Sequence, residues 1–233
     1  MRPRFVLFTL LALVLFAGFA SLGVWQVERL RWKTDLIARV DARIHAEPVP
    51  APGPADWPGL TAESAEYRRV VLRGHFLNGD EVQIYTPTDW GPGYWVLVPL
   101  ARDDGTVVMV NRGLVPEDRR DPATRPAPEG EQTVIGLLRM PEDRGWLFSR
   151  ANNPEARQWY RRDIASITQT LGLKDAAPYF VDQELGDPAA WPRGGQTVVS
   201  FRNAHLSYAL TWFGLAAFVA FAWGLVLRGE RRR

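Results

Sequence analysis

The chain contains no cysteine, so it has neither a disulfide framework nor a thiolate metal or copper-thiol site. A domain exported to an oxidising compartment would rest on its own core. Histidine is almost as scarce. His45, His75 and His205 lie far apart and no two have ligand spacing on one element, which argues against a zinc site. Gly-x-Ser-x-Gly, P-loop, dinucleotide and His-Glu-x-x-His patterns are missing too. There is no internal repeat at solenoid period. An enzyme reading therefore has no visible constellation to stand on, and the expected function is not enzymatic.

Charge is absent from two long stretches. Residues 5–27 and 206–227 carry none, and about 20 such residues are what a helix needs to cross the hydrocarbon layer. The mean hydropathy of -0.17 averages these ends with a polar middle. Six of the 28 basic residues (Arg2, Arg4, Arg228, Arg231, Arg232 and Arg233) lie outside the spans against one acid, Glu230, leaving 22 basic and 25 acidic residues between them. The pI of about 9.1 is thus a property of the flanks and no argument for nucleic acid.

Basic flanks are retained on the cytoplasmic side, which puts both termini inside and the middle outside. Arg29, Arg31 and Lys33 follow the first span closely and weaken the rule, but RGERRR is the stronger signal. The alternative for the first span is a cleaved signal peptide, with a small-x-small pattern at Gly18-Phe19-Ala20; its apolar run is longer than the usual signal core. With four residues before the span and no Arg- and Ser-rich leader, the expected location is a bacterial inner membrane.

Between the anchors the sequence predicts one β-rich α+β domain over residues 28–202, an antiparallel sheet curled toward a barrel. The first helix runs on to residue 44, and Pro48, Pro50, Pro52, Pro54 and Pro58 make residues 47–63 a semi-rigid linker. Strands at 67–73 and 81–85 flank Asn78-Gly79-Asp80 as one hairpin; strands at 94–100 and 106–111 flank Asp103-Asp104-Gly105 as a second. Residues 116–132 read as an exposed loop, 133–138 and 179–182 as strands, and Asp163 to Gly172 as a short capped helix.

The second span is predicted to have an extramembrane start at residues 196–203. At about 100° per residue, His205, Tyr208, Ala209, Trp212 and Ala216 share one side of it. On the first span Gly18, Ser21, Trp25 and Arg29 share a side. Small residues there allow close approach of a partner helix, and Ala216, Ala220 and Gly224 are the expected counterpart. The two helices run in opposite directions, so Trp25 and His205 fall at the same membrane surface. A titratable group at a membrane-helix entrance is costly unless hydrated or paired. A neutral imidazole ligates haem iron, Trp25, Tyr208 and Trp212 offer apolar walls, and Arg29 and Arg202 offer cations for propionates. Interfacial roles for Trp25 and His205 remain the alternative.

Four stretches, GVWQVERLRWK (23–33), YRRVVLRGHF (67–76), VMVNRGLVP (108–116) and FRNAHLSYALTWFGLA (201–216), resemble the surfeit locus protein 1 family of cytochrome c oxidase assembly factors, in the same order. The resemblance implies two membrane helices bracketing an outer domain, and haem a held transiently between the two helices, with His205 as axial iron ligand and Trp25 at the pocket, for insertion into oxidase subunit I. The implied partners are oxidase subunit I and haem a synthase. Two positions depart from the family pattern: Ala204 stands where Asn-Asn-His is common, and Leu114 where tryptophan is common. The rival expectation is a cofactor-free adaptor that stabilises an oxidase assembly intermediate through its outer domain, using the Asn111–Gly113 turn and exposed Tyr94 and Trp95.

Overall fold

The structure is a computed structural model that describes residues 3–88, 91–142, 150–197, 199, 201 and 203–232. In chain order its main elements are α1 (Pro3–Ile44), β1 (Val49–Pro50), α2 (Ala62–Ala65), β2 (Arg69–Phe76), β3 (Val82–Thr88), β4 (Gly91–Ala101), β5 (Val107–Pro116), β6 (Glu131–Arg139), α3 (Ile164–Leu171), β7 (Ala176–Gln183) and α4 (His205–Arg231). They form two compact units, residues 1–39 with 199–233, and residues 40–198.

The first unit is the pair α1 and α4, both long and apolar enough to cross a membrane. Their large side chains face outward on most sides: Leu7, Val14, Phe218 and Phe221 are all more than 60% exposed. Such a surface is compatible with lipid and not with water. With the polar domain between them, they make this a membrane protein of two spans. α4 begins at His205 itself, where a start at 196–203 was expected; the described residues of that stretch are not helical, and 198, 200 and 202 lie outside the described residues. Asn203, not the residue at the cap position, reaches the free backbone N–H of His205 with its Oδ1, at 3.5 Å. Arg228 and Arg231 close the other end, where cations suit the helix dipole.

The second unit is built on seven strands in the order β1-β2-β6-β7-β5-β4-β3, with β2 also pairing with β4 so that five strands form a ring. The sheet is mixed, not antiparallel as expected, because β7 lies parallel to β5 and β1 parallel to β2. β4 and β5 form the predicted hairpin. β2 and β3 do not form one: β2 pairs with β6 through seven positions and then bends at Gly74 onto β4, while β3 takes the other edge of β4. Gly74 has φ +156, and a Cβ there would meet the Ala101 carbonyl oxygen at 2.1 Å, so glycine is what lets the ring close.

Side chains alternate across the strands. Val96, Val98 and Leu100 of β4, Val108 and Val110 of β5, and Tyr179 and Val181 of β7 enter one core with Val70, Leu72 and Leu138. Their neighbours Leu97, Met109 and Phe180 turn the other way, under Ile164 and Ile167 of α3. With both faces covered, these strands read as continuous apolar runs. α3 is capped as predicted: Asp163 accepts from the Ser166 N–H at 3.1 Å, and Gly172 ends the helix at φ 69. Burial pushes the Tyr179 hydroxyl up to about 12, and it donates to the Pro52 carbonyl at 2.8 Å. That bond, with Ala51 in the core and Trp57 packed against it, ties down the stretch expected to be a linker.

One buried carboxylate cross-links the unit. Asp182 accepts from Asn111 at 2.7 Å, Arg139 at 2.8 Å and Thr197 at 2.9 Å, with Arg162 3.5 Å away. Arg139 also donates to Glu66 at 2.7 Å, and Arg162 to Glu142. Burial alone would raise the Glu142 carboxyl, but the hydrogen bond and charge of Arg162 outweigh it and hold it below the usual range. Asn111 and Gly113 therefore belong to strand β5 and its interior, and the expected turn there does not exist.

Candidate functional site

The seam between α1 and α4 is read from four contacts. His205 Nδ1 lies 2.7 Å from Gln26 Oε1. Phe19 stacks on Trp212 with ring centroids 5.7 Å apart. Gly23 sits against the Phe213 ring, where a Cβ would come within 2.6 Å of it. Trp223 Nε1 donates to Thr9 Oγ1 at 3.2 Å. Partners fall along one helix as they rise along the other, so the pair is antiparallel. The buried or contacting positions on α1 (Ala12, Phe19, Gly23, Gln26) and on α4 (His205, Ala209, Trp212, Ala216, Trp223) are separated by three, four or seven residues, the spacing of a heptad seam.

This seam is about one residue, or 100°, away from the face expected on α1. Gln26 is inward and 8% exposed, whereas Trp25 is outward and 53% exposed. Gly18, on the expected face, has nothing within 4 Å of where a Cβ would stand. On α4 the expected side is largely the inward one: His205, Ala209, Trp212 and Ala216 lie on it, but Tyr208 is 54% exposed. Arg29 is exposed, with its guanidinium 4.0 Å over the Trp32 ring. Arg202 lies outside the described residues. The helices thus bring His205 and Trp212 onto their contact, and leave Trp25, Tyr208 and Arg29 on the outer surface of the pair.

Sequence reasoning missed Gln26. Its signal was available: it is the single uncharged polar side chain beyond Ser21 within residues 5–27 apart from Thr9, and polar side chains in a span turn toward a partner helix. The chemistry follows from its oxygen. An amide oxygen only accepts, so His205 Nδ1 carries the proton and Nε2 presents its lone pair. A ligating histidine is commonly held this way, its second ring N–H donated to an acceptor that fixes tautomer and orientation. Among the described residues no group of three or more His, Cys, Asp or Glu could hold a metal ion, so His205 is a single imidazole donor here. An apolar crevice of about 170 Å³ between Ala12, Phe16, Val219 and Trp223 is several turns from His205 and is lined by no iron donor.

The fold and this contact define a class: a membrane protein in which two spans bracket a mixed-sheet domain and pack around one imidazole. The chain belongs to the SURF1 family, whose model matches residues 13–217. It is 36% identical over 222 residues to Surfeit locus protein 1 of Mus musculus, covering 87% of this chain and 70% of that protein. It is 36% identical over 223 residues to Surfeit locus protein 1 of Homo sapiens, covering 87% and 72%. With the SURF1-like protein of Drosophila melanogaster the identity is 34% over 228 residues, covering 87% and 72%.

Proposed function

We propose that this protein is a non-enzymatic assembly factor for haem-copper cytochrome c oxidase, which binds haem a at His205 and presents it to oxidase subunit I. The observation that carries the reading is the 2.7 Å contact between His205 Nδ1 and Gln26 Oε1, together with family membership. When bound, the haem supplies an iron centre in need of an axial nitrogen. Gln26 keeps the Nδ1 proton in place, which leaves Nε2 as that nitrogen. Trp25 and Tyr208 offer flat apolar contact from the lipid-facing side, and Arg29 offers a cation to propionates near the membrane surface. Haem a synthase is the proposed donor. The proposed setting is a bacterial inner membrane, with both termini cytoplasmic and the sheet domain periplasmic, as the basic flanks favour.

The test is to purify the full chain from cells that make haem a and compare it with His205→Ala. The expected result is co-purifying haem with a histidine-ligated spectrum, lost in the variant. Unchanged haem content and spectrum would remove His205 as ligand. Full oxidase maturation with His205→Ala would move the function to the outer domain, as in the cofactor-free adaptor reading.

A further inference from the structure

The strand unit carries a trough that the helix pair does not explain. A row of side chains crosses it: Arg120 lies 4.4 Å over the Tyr94 ring, Tyr94 meets Tyr85 edge-on at 5.8 Å, Tyr85 meets Tyr160 edge-on at 6.2 Å, and Arg150 lies 4.5 Å over Tyr160. Two recesses, of about 760 and 610 Å³, share Arg150 and Tyr160 and are open to solvent along their length. The row has a contour of roughly 20 Å, which about six residues of extended chain match at 3.3 Å each.

The free charges on the trough are mainly positive, Arg150 and Arg157 against the single exposed carboxylate Glu155 among the described lining residues. The carboxylate on the Tyr94 wall is committed: Glu117 accepts from the Tyr94 hydroxyl at 2.7 Å and pairs with Arg120 at 3.7 Å. Burial, reinforced by that hydrogen bond, raises the Tyr94 hydroxyl and keeps it protonated as the donor. Arg150 and Arg157 are exposed and have no carboxylate within ion-pair distance among the described residues; of the nearby acids, Glu155 is exposed on the rim of the second recess and Glu81, which shares a smaller recess with Arg157, is committed to Arg125 at 2.8 Å. Arg157 stands at φ 51 in a tight turn pinned by paired bonds between Asn153 and Gln158, at 2.8 and 2.9 Å. A bulky residue in the left-handed region is kept where the surrounding structure over-determines it. Tyrosine and arginine on a rigid frame, with arginines left without acids, are the composition of a protein-recognition surface.

We infer that this trough binds an extended, acidic polypeptide segment of a partner protein, its carboxylates on Arg150 and Arg157 and its apolar side chains on Tyr85 and Tyr160, which Tyr94 backs from the core. Cations spread along a row favour a chain over a compact anion, which would need donors converging on one point. The inference stands whether or not His205 holds haem.

The test uses the full-length protein in nanodiscs and a fluorescent peptide of alternating glutamate and phenylalanine, with the glutamine–phenylalanine peptide as neutral control. The acidic peptide is expected to bind and to weaken steeply with salt. The double variant Arg150→Gln/Arg157→Gln should lose at least about tenfold in affinity, and Tyr85→Ala should weaken both peptides. Both arginines are exposed, so the variants are expected to fold, which far- and near-ultraviolet circular dichroism checks. Equal binding of the two peptides, or wild-type affinity in the double variant, would overturn the inference. So would displacement of the acidic peptide by inorganic phosphate at equal concentration, which would make this a small-anion site.

Discussion

The two units each bury polar groups, and they do so for opposite reasons. In the strand unit Asp182 sits among Arg139, Arg162, Asn111 and Thr197 inside an apolar core that water outside already drives together. In the helix pair the surroundings are as apolar as the side chains, so burial contributes little to association. There the register depends on where a ring can seat, Phe213 on Gly23, and on two polar contacts among the described residues, Gln26 with His205 and Trp223 with Thr9. A buried charge network in the first region ties together strands distant in sequence; a buried amide in the second chooses the helix face and the imidazole tautomer.

Four changes sharpen that contrast, from the largest expected effect to the smallest. Asp182→Ala leaves Arg139 and Arg162 without their shared carboxylate, and should cost about 3–5 kcal/mol in denaturant unfolding of the full chain in detergent; a loss near zero would mean that the network is compensated by water. Tyr179 comes next. Its folded pKa of about 12 lies above the unfolded value near 10, so its contribution is fully present below pH 10 and is lost as pH rises through 12. Unfolding free energy should drop by roughly 2–3 kcal/mol across that window, and Tyr179→Phe should abolish the drop.

The helix pair gives the smaller stability effects. Gly23→Leu forces its side chain into the Phe213 ring, which should cost about 1–3 kcal/mol, read from loss of the Trp212 near-ultraviolet signal. Phe213→Ala in the same chain should restore part of it. Gln26→Leu should cost only about 0.6–1.7 kcal/mol, the range for hydrogen bonds between membrane helices. Its effect on haem retention should be far larger, about 10–100-fold, if it sets the tautomer of a ligand. A Gln26→Leu protein that keeps haem as well as the wild type would leave the contact with a packing role alone.

Much of the local structure was legible. Two uncharged runs marked the spans, Asp163 and Gly172 marked the ends of α3, and Asp103-Asp104-Gly105 marked the hairpin of β4 and β5, because each signal acts over a few residues. The partner of β2 was not legible. Asn78-Gly79-Asp80 looks like a hairpin turn, but β3 pairs with β4 instead, and only the bend at Gly74 decides this. Tyr94 and Trp95, expected to be exposed, are buried and half-buried, because a strand covered on both faces gives no alternation to read. The α1 face was misjudged for a related reason. A lipid-facing helix is apolar all round, so periodicity has no contrast, and a shift of one residue exchanges Trp25 for Gln26.

By itself the sequence determined that there are two spans, that a β-rich unit lies between them, and that His205 opens the second span. Hydrophobicity, capping and turn chemistry are local, and the chain states them directly. The tertiary structure alone decided that β7 lies beside β5, that Asp182 gathers two arginines, that Tyr85 joins Tyr94 and Tyr160 in one row, and that Gln26 meets His205. Those are meetings of residues 9 to 179 positions apart, and which of many similar side chains meet is settled by how the strands close and the helices rotate against each other.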